Sequence, residues 1–207
     1  MNKTKTEDFE QKRRNRPIEI TEIAIFKIRK TKIWGFSNAH EEFIQELHKL
    51  LLSEARKLNL ENNTNKMEVG ILIDIHSWDY WIIHGNKECE VEMKNNPEAY
   101  GIFVKARKNQ LMFMHNHPST GTFSGEDFKF FCNNDSLYII TVVGNDGTVY
   151  VLAKTADFDI RVLADYTMLA ANYYKAGYIR NNGTLAIRDI LKRANEYGLE
   201  YKKGSHR

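Results

Sequence analysis

The sequence is poor in cysteine and has no long apolar run. Its 207 residues include only two cysteines, Cys89 and Cys132, which do not form a CxxC pair. This argues against a disulfide framework and favours a reducing compartment, the cytoplasm being the default. No apolar run approaches the ~20 residues of a membrane-spanning helix, and the first residues lack the apolar segment of a signal peptide. We therefore expect a cytoplasmic protein without a membrane partner.

Several catalytic motifs are absent as well. Without H-E-x-x-H the helical zincin arrangement is excluded, and without P-C-x-x-C the zinc deaminases are excluded. No P-loop is present, so nucleotide hydrolysis is not expected. The formal net charge of +3 is too small to imply a nucleic-acid partner. The basic runs at residues 12–16 and 202–203 are most simply solvated tails, so we expect any nucleic-acid binding to be weak and salt-sensitive.

The remaining composition is that of a globular protein, with 42% hydrophobic and 28% charged residues. We divide the chain into a disordered basic tail at 1–16, one domain at 17–157 and a helical extension at 158–207.

Residue patterns predict helices alternating with strands, which implies an α/β fold with a sheet covered by helices. Isoleucines alternating with charges predict one long or two short strands within 17–36. Asn38 and Glu41 resemble a capping box that opens a long amphipathic helix, with His48 on its solvent side. The other predicted strands are 67–75, 78–85, part of 85–93, 111–115, 137–143 and 148–155, and the other helices begin near Pro97 and Ser124 and cover 158–176 and 185–197.

The strongest chemical signal follows the apolar strand at 111–115. His115 and His117 are two residues apart, so on an extended chain both side chains point to the same face. Pro118 fixes the chain direction after them, and Asp127 lies at the start of the next predicted helix, from which it can return to the site. Two nitrogens and one oxygen make three protein ligands, which leaves a fourth zinc position open, as catalysis requires.

Each part of this pattern has a purely structural interpretation. Ser124 with Asp127 three residues later is also a helix N-terminal signature, and an acid there is favoured by the helix dipole. The two histidines alone could be ordinary surface or half-buried residues. The complete pattern of H-x-H, six residues and S-x-x-D fixes four positions together and favours a site.

The text H-N-H-P…S-G-E-D at residues 115–118 and 124–127 resembles the signature of the JAMM (MPN+/JAB) zinc metalloproteases. It is most similar to RadC-like members and to bacterial, phage or mobile-element members. The family also places a glutamate upstream, on a strand that follows a helix, and Glu68 matches that position. The resemblance covers roughly residues 38–155. The loop between His117 and Ser124 is one residue shorter than in the commonest form of the motif.

The resemblance implies a three-layer α/β/α fold with a mixed central sheet and additional C-terminal helices. It implies one Zn²⁺ per chain, held by His115, His117 and Asp127. Glu68 would act as general base and then acid, and Ser124 would stabilise the developing oxyanion.

The implied function is hydrolysis of a peptide or isopeptide bond in a protein or peptide substrate, with ubiquitin-like proteins among the candidates. Glu126 is the nearest competitor for the role of base, although a helix would point it away from the site. One alternative is a RadC-like module of a mobile element or DNA-metabolism system without peptidase activity. Another is a non-catalytic interaction domain. We interpret His40, His76 and His84 as structural residues without a catalytic or metal-binding role.

Overall fold

The computed structural model describes residues 16–179 and 182–204. The predicted tail at 1–16 lies outside these residues, apart from Arg16. The helices are α1 (Glu22–Phe26), α2 (Asn38–Glu61), α3 (Pro97–Lys105), α4 (Gly125–Asn133), α5 (Val162–Lys175) and α6 (Asn182–Lys192), and the strands are β1 (Met67–Asp74), β2 (Tyr80–Glu88), β3 (Leu111–His117), β4 (Leu137–Gly144), β5 (Val149–Lys154) and β6 (Leu199–Lys203). Among the described helices, none combines the length and the apolarity that a membrane crossing requires.

The six strands form one mixed sheet in the order β2-β1-β3-β4-β5-β6. Strands β3 and β4 are parallel, and all other neighbouring pairs are antiparallel. A parallel pair needs a crossover connection, and here α4 lies within that connection. The expected α/β class with a mixed sheet is confirmed.

The two faces of the sheet pack against different elements. One face is aliphatic and packs against α2, with residues such as Val69, Ile71, Met112, Met114 and Leu51. The opposite face is rich in aromatic residues and packs with α4, α5 and α6, through residues such as Phe113, Phe128, Phe131, Tyr166 and Ile187. Side chains alternate along β3, so His115 and His117 share the aromatic face with Phe113, while Asn116 points towards the α2 face.

The predicted strand at 17–36 is wrong. The segment contains the short helix α1, and the remaining described residues there form no strand. The Thr21 hydroxyl caps α1 by accepting a hydrogen bond from the Ala24 N–H at 3.1 Å. The buried residues Ile20, Ala24 and Ile28 recur at every fourth position, which is a helical spacing that the alternating isoleucines disguised.

The separate strand expected within 85–93 is also wrong. Residues up to Glu88 continue β2, and the chain then turns at Cys89, whose φ is +57°. The helix start at Asn38 is displaced by one residue. Ser37 is the N-cap, accepting from the His40 N–H at 3.3 Å. Glu41 does not close a capping box because its carboxylate accepts from the Ile33 N–H at 3.0 Å.

The segment after residue 157 contains two helices, as predicted, and one strand that was not predicted. Strand β6 pairs with β5 in antiparallel register, from Lys154 opposite Leu199 to Tyr150 opposite Lys203. Its sequence, LEYKK, is short and polar because it forms an edge of the sheet. In such a strand, the alternation of apolar and polar residues is too weak to predict a strand. The C-terminal segment therefore completes the central sheet as well as covering it.

Candidate metal centre

The two candidate histidines lie at the C-terminal end of β3. On one side His115 is opposite Gly70 of β1, and on the other side His117 is beside Gly144 of β4. The exposed fraction of the side chain is 1% for His115 and 13% for His117. The first imidazole is thus enclosed by the protein, and the second lies at the boundary with solvent.

Asp127 reaches the histidines from the first turn of α4. Ser124 is the N-cap of this helix, and its hydroxyl accepts from the Asp127 N–H at 3.1 Å. In return, the Ser124 N–H donates to Oδ2 of Asp127 at 2.6 Å. This reciprocal capping box holds the Asp127 carboxylate at the helix start. The capping interpretation and the site interpretation of these two residues are therefore compatible.

Three side chains converge at this point. Nε2 of His115 lies 3.0 Å from Oδ1 of Asp127, and Nε2 of His117 lies 3.1 Å from Oδ2. The two Nε2 atoms are 3.1 Å apart. Ligands on a tetrahedral zinc with bonds of ~2.0–2.1 Å are separated by about 3.3–3.4 Å. The two Nε2 atoms lie within a few tenths of an ångström of that separation, and one ligand atom from each of the three residues lies within 4.8 Å of the others.

The same three residues are the one group of at least three His, Cys, Asp or Glu side chains with metal-ligand spacing within residues 16–179 and 182–204. A direct Nε2–Nε2 contact can contain at most one hydrogen bond, since two N–H groups cannot face each other. A shared cation satisfies both nitrogens and the carboxylate at once. The donor set of two imidazoles and one carboxylate also suits zinc.

Two further contacts fix the imidazole rings. His117 makes a hydrogen bond to the backbone of Thr122, which is the kind of outer contact that orients a ligating histidine. The ring of Phe113 stacks on His115 with centroids 5.4 Å apart. Gly70 leaves room for this ring, because a Cβ there would lie 2.8 Å from Phe113. Nδ1 of His115 is buried and has no hydrogen-bond partner among the described residues.

Glu68 lies on β1, two residues before Gly70, and so on the same face of the sheet as His115. The residue is only 8% exposed. Burial raises the pKa of Glu68, and the positive charges of His117 and His115 oppose that rise. The carboxylate is therefore within electrostatic range of the triad. Glu126, the competing candidate, is exposed, as the helical geometry predicts.

The electrostatics of the triad favour an ionised carboxylate. Burial alone raises the pKa of Asp127, but the two histidines outweigh it and hold the pKa well below its ordinary value. Burial lowers the pKa of His117, but the Asp127 carboxylate outweighs it and leaves the pKa above its ordinary value. A cation replacing these protons would meet a carboxylate that is already charged.

The other histidines do not join the triad, and one contradicts its prediction. His48 is 1% exposed rather than on the solvent side of α2. Its Nε2 lies 3.0 Å from the Thr141 hydroxyl, on the face of the sheet that packs against α2. His40 stacks on Trp78 with centroids 4.2 Å apart. His84 lies 3.4 Å from the Glu54 carboxylate, and His76 is exposed.

Sequence reasoning missed the residues that support the site. Asn116 and Asn145 are fully buried and hydrogen-bonded to each other at 3.1 Å. Phe113 and Gly70 form the stacked support of His115. A signal for Asn116 was available, because an amide between two same-face histidines on a buried strand must point to the other face.

Comparisons with known proteins give no match: no protein-family model, no curated protein and no solved structure is significantly similar to this chain.

Proposed function

We propose that this protein is a zinc-dependent hydrolase that cleaves a peptide or isopeptide bond. The observation that carries the proposal is the convergence of Nε2 of His115, Nε2 of His117 and the Asp127 carboxylate within 3.0–3.1 Å of one another. A buried glutamate, Glu68, lies within electrostatic range of this group. Three protein ligands and a nearby carboxylate base are the parts that metal-assisted amide hydrolysis requires.

Zinc held by His115, His117 and Asp127 would supply a Lewis acid and lower the pKa of a bound water to about 7. Glu68 would accept a proton from the attacking water and deliver it to the departing amine nitrogen. Its raised pKa suits both steps, because a general base and acid works best when its pKa is near the working pH. Ser124 accepts the Asp127 N–H through its oxygen, so its hydroxyl hydrogen remains available to donate to a developing oxyanion.

The resemblance of residues 115–118 and 124–127 to the JAMM signature supports the same conclusion. Helices on both faces of a mixed sheet agree with the three-layer JAB-like arrangement that the resemblance implies. The substrate class we propose is a protein or peptide, ubiquitin-like proteins included, handled in the cytoplasm. The sequence H-N-H-P-S at residues 115–119 favours a second candidate, a RadC-like module without peptidase activity.

A paired assay with and without chelator separates the two candidates. The zinc-loaded protein is incubated with a peptide library that includes isopeptide-linked members, and separately with single- and double-stranded DNA. We expect chelator-sensitive cleavage of a subset of peptides and no cleavage of DNA. Metal-dependent DNA cleavage that disappears in Glu68→Gln would overturn the proposal, and so would the absence of any peptide product.

A further inference from the structure

A fully buried amide lies between the two candidate ligands, on the opposite face of β3. Oδ1 of Asn116 accepts a hydrogen bond from the Val69 N–H at 2.7 Å. Its Nδ2 donates to the Met67 carbonyl at 3.3 Å. One side chain on β3 therefore holds two backbone groups of β1, and neither bond belongs to the regular ladder of the sheet.

These two backbone groups enclose Glu68. The Met67 carbonyl belongs to the peptide group before Glu68, and the Val69 N–H belongs to the peptide group after it. Fixing both peptide planes fixes the backbone torsions of Glu68 and hence the direction of its Cα–Cβ bond. The two hydrogen bonds of the Asn116 side chain thus restrict where the Glu68 carboxylate can reach.

On the β3 side, the regular ladder of the sheet does not reach the two peptide groups that flank Glu68. Register pairing between β1 and β3 ends at Gly70 opposite His115. Pairing between β1 and β2 is irregular from Met67, opposite Glu88, to Val69, opposite His84. Glu68 therefore lies beyond the end of the β3 ladder and at an irregularity of the β2 ladder. On the β3 side, the Asn116 amide, which has the same donor and acceptor groups as a peptide, substitutes for the missing backbone partner.

Asn145 keeps this amide in one orientation. Its Oδ1 accepts from Nδ2 of Asn116 at 3.1 Å, so the nitrogen of Asn116 faces Asn145 and its oxygen faces Val69. The Asn145 N–H also donates to the His117 carbonyl at 3.0 Å. One buried network thereby connects the backbone at Glu68 with the backbone at the second candidate ligand.

We propose that Asn116 is a positioning residue that fixes Glu68 relative to the metal centre. The proposal rests on the proposed function, in which Glu68 is the general base. Asn116 points away from the triad and touches neither substrate nor metal. Its contribution to turnover must therefore pass through Glu68, and this distinguishes it from a buried asparagine that only stabilises the fold.

The test combines amide hydrogen exchange with kinetics on Asn116→Ala. We expect the Val69 amide to exchange about tenfold faster relative to the Ile71 amide, because a hydrogen bond is lost there and not at Ile71. With zinc still at one per chain, we expect kcat to fall by roughly 10–10² while KM changes little, since small displacements of a catalytic group carry costs of this order. In the Glu68→Gln background the same substitution should cause no further loss of kcat.

Asn59→Ala is the matched control. Asn59 is another buried asparagine whose Oδ1 accepts from β1, but from the Met67 N–H at 2.9 Å, outside the two peptide groups that flank Glu68. It should alter stability and leave kcat unchanged. If Asn116→Ala does not fold, Asn116→Asp serves instead. This isosteric change keeps the acceptor for Val69 and replaces the donor towards Met67, so a smaller loss of kcat is expected.

The outcomes are separable. Unchanged relative exchange at Val69, unchanged kcat, or an equal loss of kcat in the Glu68→Gln background would each overturn the positioning role. A parent protein that cleaves no peptide would refute the proposed function. In that case the exchange ratio still decides whether Asn116 holds the backbone at Glu68.

Discussion

The two faces of the sheet each bury a histidine completely, and they do so in different ways. On the α2 face, His48 has a neutral hydroxyl as its partner, with Nε2 3.0 Å from Thr141. Burial lowers the pKa of His48 to about 3, so this imidazole is neutral. On the aromatic face, His115 has a second imidazole and a carboxylate within 3.1 Å. Burial of a histidine alone is therefore no sign of a metal site, and the proposed site rests on the convergence of ring nitrogens with a carboxylate.

The same contrast holds within three consecutive residues of β3. His115 and His117 direct ionisable groups to one face, and Asn116 directs a neutral amide to the other. The amide finds all its partners inside the protein, at Val69, Met67 and Asn145. The imidazoles instead bring their Nε2 atoms within 3.1 Å of each other, a contact that can contain at most one hydrogen bond. We infer that one face is built for packing and the other for a ligand.

The largest expected effect is a difference in zinc content between two variants that each lack a histidine from one face of the sheet. His117→Ala should lose nearly all of the ~1 zinc per chain, because two remaining ligands bind zinc weakly. His48→Gln should keep it. Elemental analysis of protein prepared without added metal or chelator measures both. Equal zinc in the two variants would place the metal elsewhere and remove the distinction between the faces.

Substitutions of Ser124 test whether the aromatic face also stabilises an oxyanion, beyond the metal binding that we propose for it. Ser124→Ala removes both the helix cap and the hydroxyl donor, so we expect turnover to fall by ~10²–10³ and stability by about 1 kcal/mol. Ser124→Gly also lacks the hydroxyl donor, but a glycine at the N-cap costs only a few tenths of a kcal/mol. Its melting temperature should stay close to that of the parent while its kcat remains low. Full activity in Ser124→Gly would reduce Ser124 to a capping role.

The buried neutral histidine of the α2 face, His48, should make folding stability depend on pH in the acid range. The pKa of His48 is about 3 in the folded protein, against 6.5 for an ordinary histidine. Between these values the unfolded state binds the extra proton, so folding stability falls as pH falls, by about 1.4 kcal/mol per pH unit. Denaturant titrations at several pH values should show a shallower acid dependence for His48→Gln than for the parent. Parallel curves would mean that His48 is not buried in its neutral form.

Gly70→Ala disturbs the support of the candidate metal site with a single methyl group. The new Cβ would lie 2.8 Å from the Phe113 ring, which stacks on His115. Overpacking of this kind costs typically about 1–3 kcal/mol, and the displaced ring should also weaken zinc binding. Gly101→Ala is the control, because its Cβ would meet no atom within 4 Å. Thermal unfolding with and without zinc measures both effects, and identical zinc dependence in the two variants would contradict the role of Phe113.

Much of the site could be predicted from the sequence because its signals are local. The spacing of His115 and His117, the strand before them and the helix cap at Ser124 all depend on neighbouring residues. The amphipathic helix α2 and the strands β1, β3, β4 and β5 were predicted for the same reason. The convergence of Asp127 with the histidines agrees with the predicted ligand set. The binding of a metal at this site remains a prediction.

The features that were predicted wrongly or missed depend on contacts with residues that are distant in the sequence. The alternating isoleucines of helix α1 predict a strand, and only the packing of this segment against α2 selects the helical spacing. His48 was placed in solvent because Thr141, its partner, is 93 residues away in the sequence. The amide of Asn116 acts on β1 across 47 residues. No local pattern contains such contacts, so they become visible only in the folded chain.

The most direct test of the account is the turnover of Glu68→Gln at matched zinc content. The account predicts a folded protein with about one zinc per chain and a kcat lowered by ~10²–10⁴, since the metal ligands remain and the proton acceptor is lost. Glu126→Gln, an exposed neighbour of Asp127, should retain the parent kcat. A Glu68→Gln protein that cleaves peptides at the parent rate would contradict the mechanism, whatever its zinc content.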